Sequence, residues 1–204
     1  MKKQTPGRPF ASDKNLKEEL IISAIKLFAE NDIGNVSVKD IASNCNTTSA
    51  MVHYYFGSKD NLIETIITDF FVPNFKNILI TAIKPNNPLE LVHITIDMLI
   101  SLALEHPYIA KLWSRYFLHQ ESIIMKYVFP NMPVDIMQQY AALAKKGQDE
   151  NIINKDLIPI LIYPIIASNI FIHLHGFDFI LLDNNMDAKI KHLKSFILKG
   201  VLCV

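Results

Sequence analysis

Seven histidines and two cysteines are the residues of this 204-residue chain whose chemistry is easiest to recognise, and their spacing argues against its use. His173 and His175 lie two apart, about 200° around a helix, so one face cannot present both to a metal. The other histidines are scattered, with no HExxH and no cysteine partner. Cys45 and Cys203 make no CxxC, which disfavours a disulfide scaffold or zinc ribbon and fits a reducing cytoplasm. No Gly-rich phosphate loop, nucleophile elbow or convincing carboxylate pair appears, so no catalytic residue, metal or cofactor is expected. The remaining chemistry is recognition. Thr47, Thr48, Ser49, Ala50 and Met51 carry small or flexible side chains that allow close approach to base edges. His53 and Tyr54 follow with donors for phosphate, and Lys39 and Lys59 add cations nearby.

Those residues need elements to hold them. Leu16, Leu20, Ile21, Ala24, Leu27 and Phe28 recur as the stripe of an amphipathic helix. Ser37 and Asp40 have capping-box spacing, with Asp for the usual Glu or Gln, and open a short helix burying Val38, Ile41 and Ala42. Asn44 to Thr47 form a tight polar turn. Thr47 or Thr48 can then cap a second short helix ending near Tyr54, with Val52, Tyr55 and Phe56 turned inward. Two short helices across a tight turn, backed by a third, make a helix-turn-helix, whose second helix enters the major groove.

Beyond residue 60 no period-2 alternation is sustained, and helix follows helix. One long helix is expected from Lys59 towards Lys84, kinked or broken at Pro73. Asn87, Pro88 and Glu90 start another that buries Leu89, Val92, Ile96, Leu99, Ile100 and Ala103. Further helices are expected over 108–119, 121–148, 156–182 and 186–200. The fold class is all-α: a flexible basic arm over 1–12, a three-helix helix-turn-helix domain over 13–60, and a larger helical domain over 61–204.

At Leu20-Ile21, Ala24, Leu27-Phe28, Ser37-Val38, Ile41-Ala42, His53-Tyr54-Tyr55-Phe56 and Ser58-Lys59-Asp60-Asn61-Leu62 the sequence resembles the TetR family of transcriptional repressors. The resemblance covers about residues 16–63. It implies a DNA-binding domain, a helical domain for an effector, and a homodimer made by the last two long helices. On that reading Leu161, Ile165, Leu193 and Ile197 meet a second copy, and the partners are double-stranded, palindromic operator DNA and a small molecule. Three positions depart from the family pattern: Asp32 replaces a Gly, Asn46 replaces the turn Gly, and His53 replaces a Tyr.

Effector candidates come from the aromatic residues Phe70, Phe71, Trp113, Phe117 and Phe171, with His93, Asp97, Tyr116, Gln120 and Asn169 as polar groups. The wider aromatic and methionine set includes Phe75, Met132 and Met137, and such a stripe also suits plain core. Charge gives little direction. Residues 1–60 hold 8 Lys/Arg against 7 Asp/Glu, and Lys2, Lys3 and Arg8 concentrate what is useful in the arm. Gly7-Arg8-Pro9 reads either as a minor-groove contact or as a solubilising tail. Cys45, beside the turn, reads as a redox sensor or an inert thiol. Leu157–Phe177 lacks charge over 21 residues, enough to span a bilayer, yet its prolines and polar residues suit a buried helix. The N-terminal MKKQTPGRPF has no signal-peptide core, so a cytoplasmic protein without a membrane partner is expected. Three functions follow: a repressor released by a largely apolar effector, a regulator of the same fold without such an effector, or a membrane-associated or enzymatic helical protein.

Overall fold

The structure, a computed structural model, describes residues 11–113, 123–176 and 185–203. Among these residues no β-strand forms; one isolated antiparallel bridge joins Ile153 to Leu202. The chain divides into two compact units, the first ending at Ile66 and the second starting at Ile67.

In the first unit α1 (Ala11–Glu30) buries Leu20, Ala24 and Phe28, while Leu16, Ile21 and Leu27 of the expected stripe are half-buried. Buried Ser23 ties α1 to α2 (Val38–Asn44): its hydroxyl donates to the Ile41 carbonyl at 3.3 Å and accepts from Asn44 Nδ2 at 3.0 Å. Asp32 has its own use, since its carboxylate accepts the Gly34 N–H at 2.9 Å and caps the 3-10 turn Ile33–Asn35. The capping box of α2 forms as its spacing predicts. Ser37 Oγ accepts the Asp40 N–H at 3.2 Å, and Asp40 Oδ2 accepts the Ser37 N–H at 2.8 Å and its hydroxyl at 2.6 Å. The Ser37 hydroxyl and N–H hold the Asp40 carboxyl below its ordinary range.

Asn46 takes φ 51° in the turn before α3 (Ser49–Phe56), a left-handed conformation that costs most residues about 1–2 kcal/mol but suits Asn after Gly. Gly57, at φ 75°, ends α3. α4 (Lys59–Ile66) buries Leu62, Ile63 and Ile66. Those three carry the first unit to Ile66 rather than to residue 60.

The second unit opens with a π-helical segment, Ile67–Phe71, followed by α5 (Val72–Ile83). Pro73 has no N–H for the Asp69 carbonyl and its ring needs room there, so the helix widens where a kink or break was expected. By length and composition Lys59–Ile83 could cross a membrane, and a third of its most apolar window is buried. Asn87 caps α6 (Pro88–Glu105), accepting the Leu89 and Glu90 N–H groups at 2.9 and 3.2 Å. Leu91, Val92, Ile96 and Leu99 of α6 are buried, but Leu89 is exposed at the first turn, contrary to expectation.

α7 (Pro107–Leu112), α8 (Ile123–Val128) and α9 (Val134–Asp149) follow. Gly147 of α9 allows a close crossing: a Cβ there would lie 2.7 Å from the Cβ of Pro88. The uncharged run from Leu157 supplies a 3-10 turn, Pro159–Leu161, and α10 (Ile162–Gly176), whose Ile166, Ile170 and Leu174 are fully buried. α10 packs on α6, α7 and α11 (Met186–Val201). Backbone bonds from Asn154 to Val201 and from Cys203 to Ile152, both 2.9 Å, anchor the end of α11.

Candidate nucleic-acid interface

The reading helix is held from behind and open in front. Val52 and Phe56 are buried, Tyr55 is half-buried, and Lys17 Nζ lies 5.9 Å from the centroid of the Phe56 ring. The Thr47 N–H closes the turn on the Ala42 carbonyl at 3.0 Å. Thr48 sits at the N-cap of α3 in extended backbone, yet its hydroxyl makes no capping bond. The first turn of α3 is therefore left without a side-chain cap from Thr48, whose side chain is exposed. Ala50, Tyr54 and Lys39 are exposed; Thr47, Ser49 and Met51 are half-buried around them. Cys45, half-buried, places Sγ 3.5 Å from the Glu19 carbonyl. Arg8 lies outside the described residues.

Two of the expected phosphate donors have tasks inside the protein. His53 Nδ1 is 2.8 Å from the Gly57 carbonyl, which can only accept. Nδ1 therefore carries a proton, and in the neutral ring the exposed Nε2 is an acceptor. Only the imidazolium can offer Nε2–H to a phosphate. Lys59 departs further from expectation. Its half-buried ammonium donates to the carbonyls of Ile33 and, at 2.7 Å, Val36. It fastens the start of α4 to the connection between α1 and α2, a partner 23 to 26 residues away that no local pattern announces.

The second unit contains a cavity of about 240 Å³. Phe71, Phe75, Trp113, Met125, Met137 and Tyr163 are among its lining residues. Phe75 is central to an aromatic cluster, with ring centroids 6.2 Å from Phe71, 5.2 Å from Trp113 and 6.2 Å from Phe171. Of the effector residues expected from sequence, Phe71 and Trp113 line the cavity. Phe171 is buried behind it, 5.5 Å from Trp113 between ring centroids. Phe70 instead meets the His106 ring at 5.1 Å. His93 is exposed, and Asp97 is engaged elsewhere: its Oδ1 pairs with Lys194 Nζ at 2.6 Å. Asn169 turns back along α10 to donate to the Ile165 carbonyl at 2.9 Å. Tyr116, Phe117 and Gln120 lie outside the described residues. Phe75, Met132 and Met137 belonged to the aromatic and methionine stripe but were not picked out from it.

The four residues expected at a dimer interface divide between surface and core. Leu161 and Ile165 are exposed, at 43% and 44%. Leu193 and Ile197 are only 3% and 4% exposed, so they serve the chain's own core and cannot meet a second copy. The large apolar side chain that α11 does expose is Phe196, at 61%.

A short helix, a tight turn and a second short helix, packed on α1 and α4, constitute a helix-turn-helix domain of the DNA-binding type, here followed by a larger all-helical unit. Residues 20–66 match the family model for bacterial regulatory proteins, tetR family. The chain is 32% identical over 91 residues to the uncharacterized HTH-type transcriptional regulator YuxN of Bacillus subtilis, covering 44% of this chain and 31% of that protein. It is 28% identical over 88 residues to the HTH-type transcriptional repressor KstR2 of Mycolicibacterium smegmatis, covering 42% and 41%. These matches span less than half the length of either relative. The fold is similar over 98% of this chain and 99% of the ketosteroid transcriptional regulator KstR2 of Mycobacterium tuberculosis, with a TM-score of 0.69 at 16% identity. Over residues 20–66 the chain is thus similar to the TetR family, and it shares the fold of KstR2 along its length.

The Lys59 contacts generate a test. Charge-assisted bonds of this kind contribute about 1.5–3 kcal/mol. Lys59→Met should lower the urea stability of the protein by about that amount. The salt dependence of DNA binding should keep its slope. A Lys59→Met protein of unchanged stability, with a salt slope reduced by about one, would return Lys59 to the phosphate role.

Proposed function

We propose that this chain is a transcriptional repressor that binds a palindromic operator as a homodimer and is released by a small, largely apolar effector in the second unit. The observation that carries the DNA-binding part is the first turn of α3. It is left without a side-chain cap and surrounded by Thr48, Ser49, Ala50 and Met51, while Val52 and Phe56 hold the helix from behind. Small side chains there let the backbone approach base edges, and Tyr54 and His53 stand where the sugar–phosphate wall would pass. The repressor reading is supported by the name of the KstR2 relative. The effector reading is supported by the cavity, whose wall includes Phe71 and Val72, joined through the π-helical segment to α4. A ligand releases DNA only to the extent that it prefers the displaced arrangement; tenfold weaker operator binding needs about 1.4 kcal/mol of such preference.

One reading helix covers one half-site, so two copies are needed to read a palindrome. Leu161, Ile165 and Phe196 form the pairing surface in this proposal, with Ile158 beside them at the start of the same run.

Selection of bound duplexes from a random pool should return a two-fold symmetric sequence with half-sites one helical turn apart, about 34–36 Å, or a multiple of it. Recovery of asymmetric or unrelated sequences would count against the proposal. His53→Ala should weaken binding about equally across duplex sequences, and unchanged affinity would remove His53 from the phosphate contact. Phe196→Glu and Ile165→Glu should give folded monomers by sedimentation, with operator affinity lost. Leu193→Glu should instead unfold the chain, because it buries a charge in the core. A Phe196→Glu protein that stays dimeric would place the interface elsewhere.

A further inference from the structure

The cavity of the second unit carries a chemical specification for its occupant. Its described lining contains no Lys, Arg, His, Asp or Glu. Among that lining, polar side-chain atoms come from Trp113, Ser168 and Tyr163, and two of them are paired: Trp113 Nε1 donates to Ser168 Oγ at 3.2 Å. Tyr163 is different. It is 8% exposed, and its hydroxyl, among the described residues, is buried without a hydrogen-bond partner.

A neighbouring phenol shows what this core does with a hydroxyl that serves packing alone. The Tyr140 ring stands edge-on to Tyr163 at 5.8 Å between centroids, and its hydroxyl meets Thr95 Oγ1 at 3.1 Å. Thr95 in turn donates to the Leu91 carbonyl at 2.6 Å. The phenol against the core is satisfied; the phenol lining the cavity is not. Buried polar groups in native proteins are almost always paired, and a Phe would fill the same space without the unmet hydroxyl. Burial also pushes the Tyr163 hydroxyl well above its ordinary titration range, so it keeps its proton and remains a donor.

We propose that the cavity takes an uncharged, mostly apolar molecule with one acceptor oxygen, a ketone-like or ether-like group, that receives the Tyr163 O–H. This rests on the reading of the cavity as the effector site. An anion or a cation would be desolvated there with no opposite charge in the described wall. Size follows by proportion: an apolar cavity of about 150 Å³ holds benzene, so this one scales to about ten non-hydrogen atoms. The methionines in the wall give it some adaptability of shape.

The test compares three probes of one skeleton: 1-tetralone with its carbonyl, tetralin without it, and the 1,2,3,4-tetrahydro-1-naphthoate anion. Binding to the full chain is followed by the fluorescence of Trp113, the single tryptophan, which lies in the cavity wall. 1-Tetralone should bind about fivefold or more tightly than tetralin, as expected of one buried hydrogen bond. The anion should bind far more weakly than either. In Tyr163→Phe the preference for the ketone should vanish while tetralin affinity is kept. That variant should melt no lower than the wild type without ligand, because the hydroxyl it removes is unpartnered. Equal binding of ketone and hydrocarbon, a preference that survives Tyr163→Phe, tight binding of the anion, no binding of any probe, or a variant that melts lower would each overturn the proposal. Operator affinity is measured in parallel. Tyr163-dependent ketone binding with operator affinity unchanged would refute the effector reading and leave the ligand chemistry standing. Operator release by a compound indifferent to Tyr163 would do the reverse.

Discussion

The ammonium of Lys59 is the fastening on which the reading unit depends. A helix only 8 residues long, such as α3, has little stability of its own and must be fixed by what surrounds it. Its apolar side offers Val52 and Phe56, and its two ends are turns with backbone in the left-handed region, at Asn46 and Gly57. Neither turn can be set unless α2 and α4 are already placed. α2 is placed by the capping box and by Ser23. α4 is placed by Leu62 and Ile63 in the core and by Lys59 on the carbonyls of Ile33 and Val36. One cation thus ties the start of α4 to the connection between α1 and α2.

The second unit tolerates what a stable core avoids. An unfilled apolar volume near 240 Å³ would cost about 6 kcal/mol if it were sealed, by the usual cost per unit of lost packing. Partial access to solvent lowers that figure, but it remains comparable to the net stability of a small domain. The aromatic cluster of Phe71, Phe75, Trp113 and Phe171 supplies rigid walls that resist collapse. Filling such a volume stabilises the filled form by mass action, so occupancy and folding of this unit are linked.

Much of the first unit was legible because its signals are short-range. Ser37 and Asp40 are three apart, and Asn46 stands where one residue must take positive φ; both read directly as local chemistry. The role of Lys59 was hidden because its partners are remote backbone carbonyls, which every residue possesses. In α11, periodicity located an apolar stripe through Leu193 and Ile197 without saying whether the chain's own core or another copy covers it. Core came first, and Phe196, off that stripe, was passed over. In the effector region aromatic composition pointed to the right neighbourhood but could not separate wall from backing. Phe75 and Phe171 are alike in type, and only packing puts one on the cavity and the other behind it.

α10 has a double duty. Its Tyr163 and Ser168 serve the cavity, while its Ile165, and Leu161 in the 3-10 turn just before it, face outward. If two copies associate through that outward side, occupant and partner grip one rigid rod. Any axial shift or roll of the rod that suits the occupant changes the fit between copies, and thermodynamic reciprocity requires the converse. Affinity for the small molecule then ceases to be a constant of the polypeptide. It varies with how much of the protein is present, and the cell's expression level becomes one of the inputs that the switch integrates.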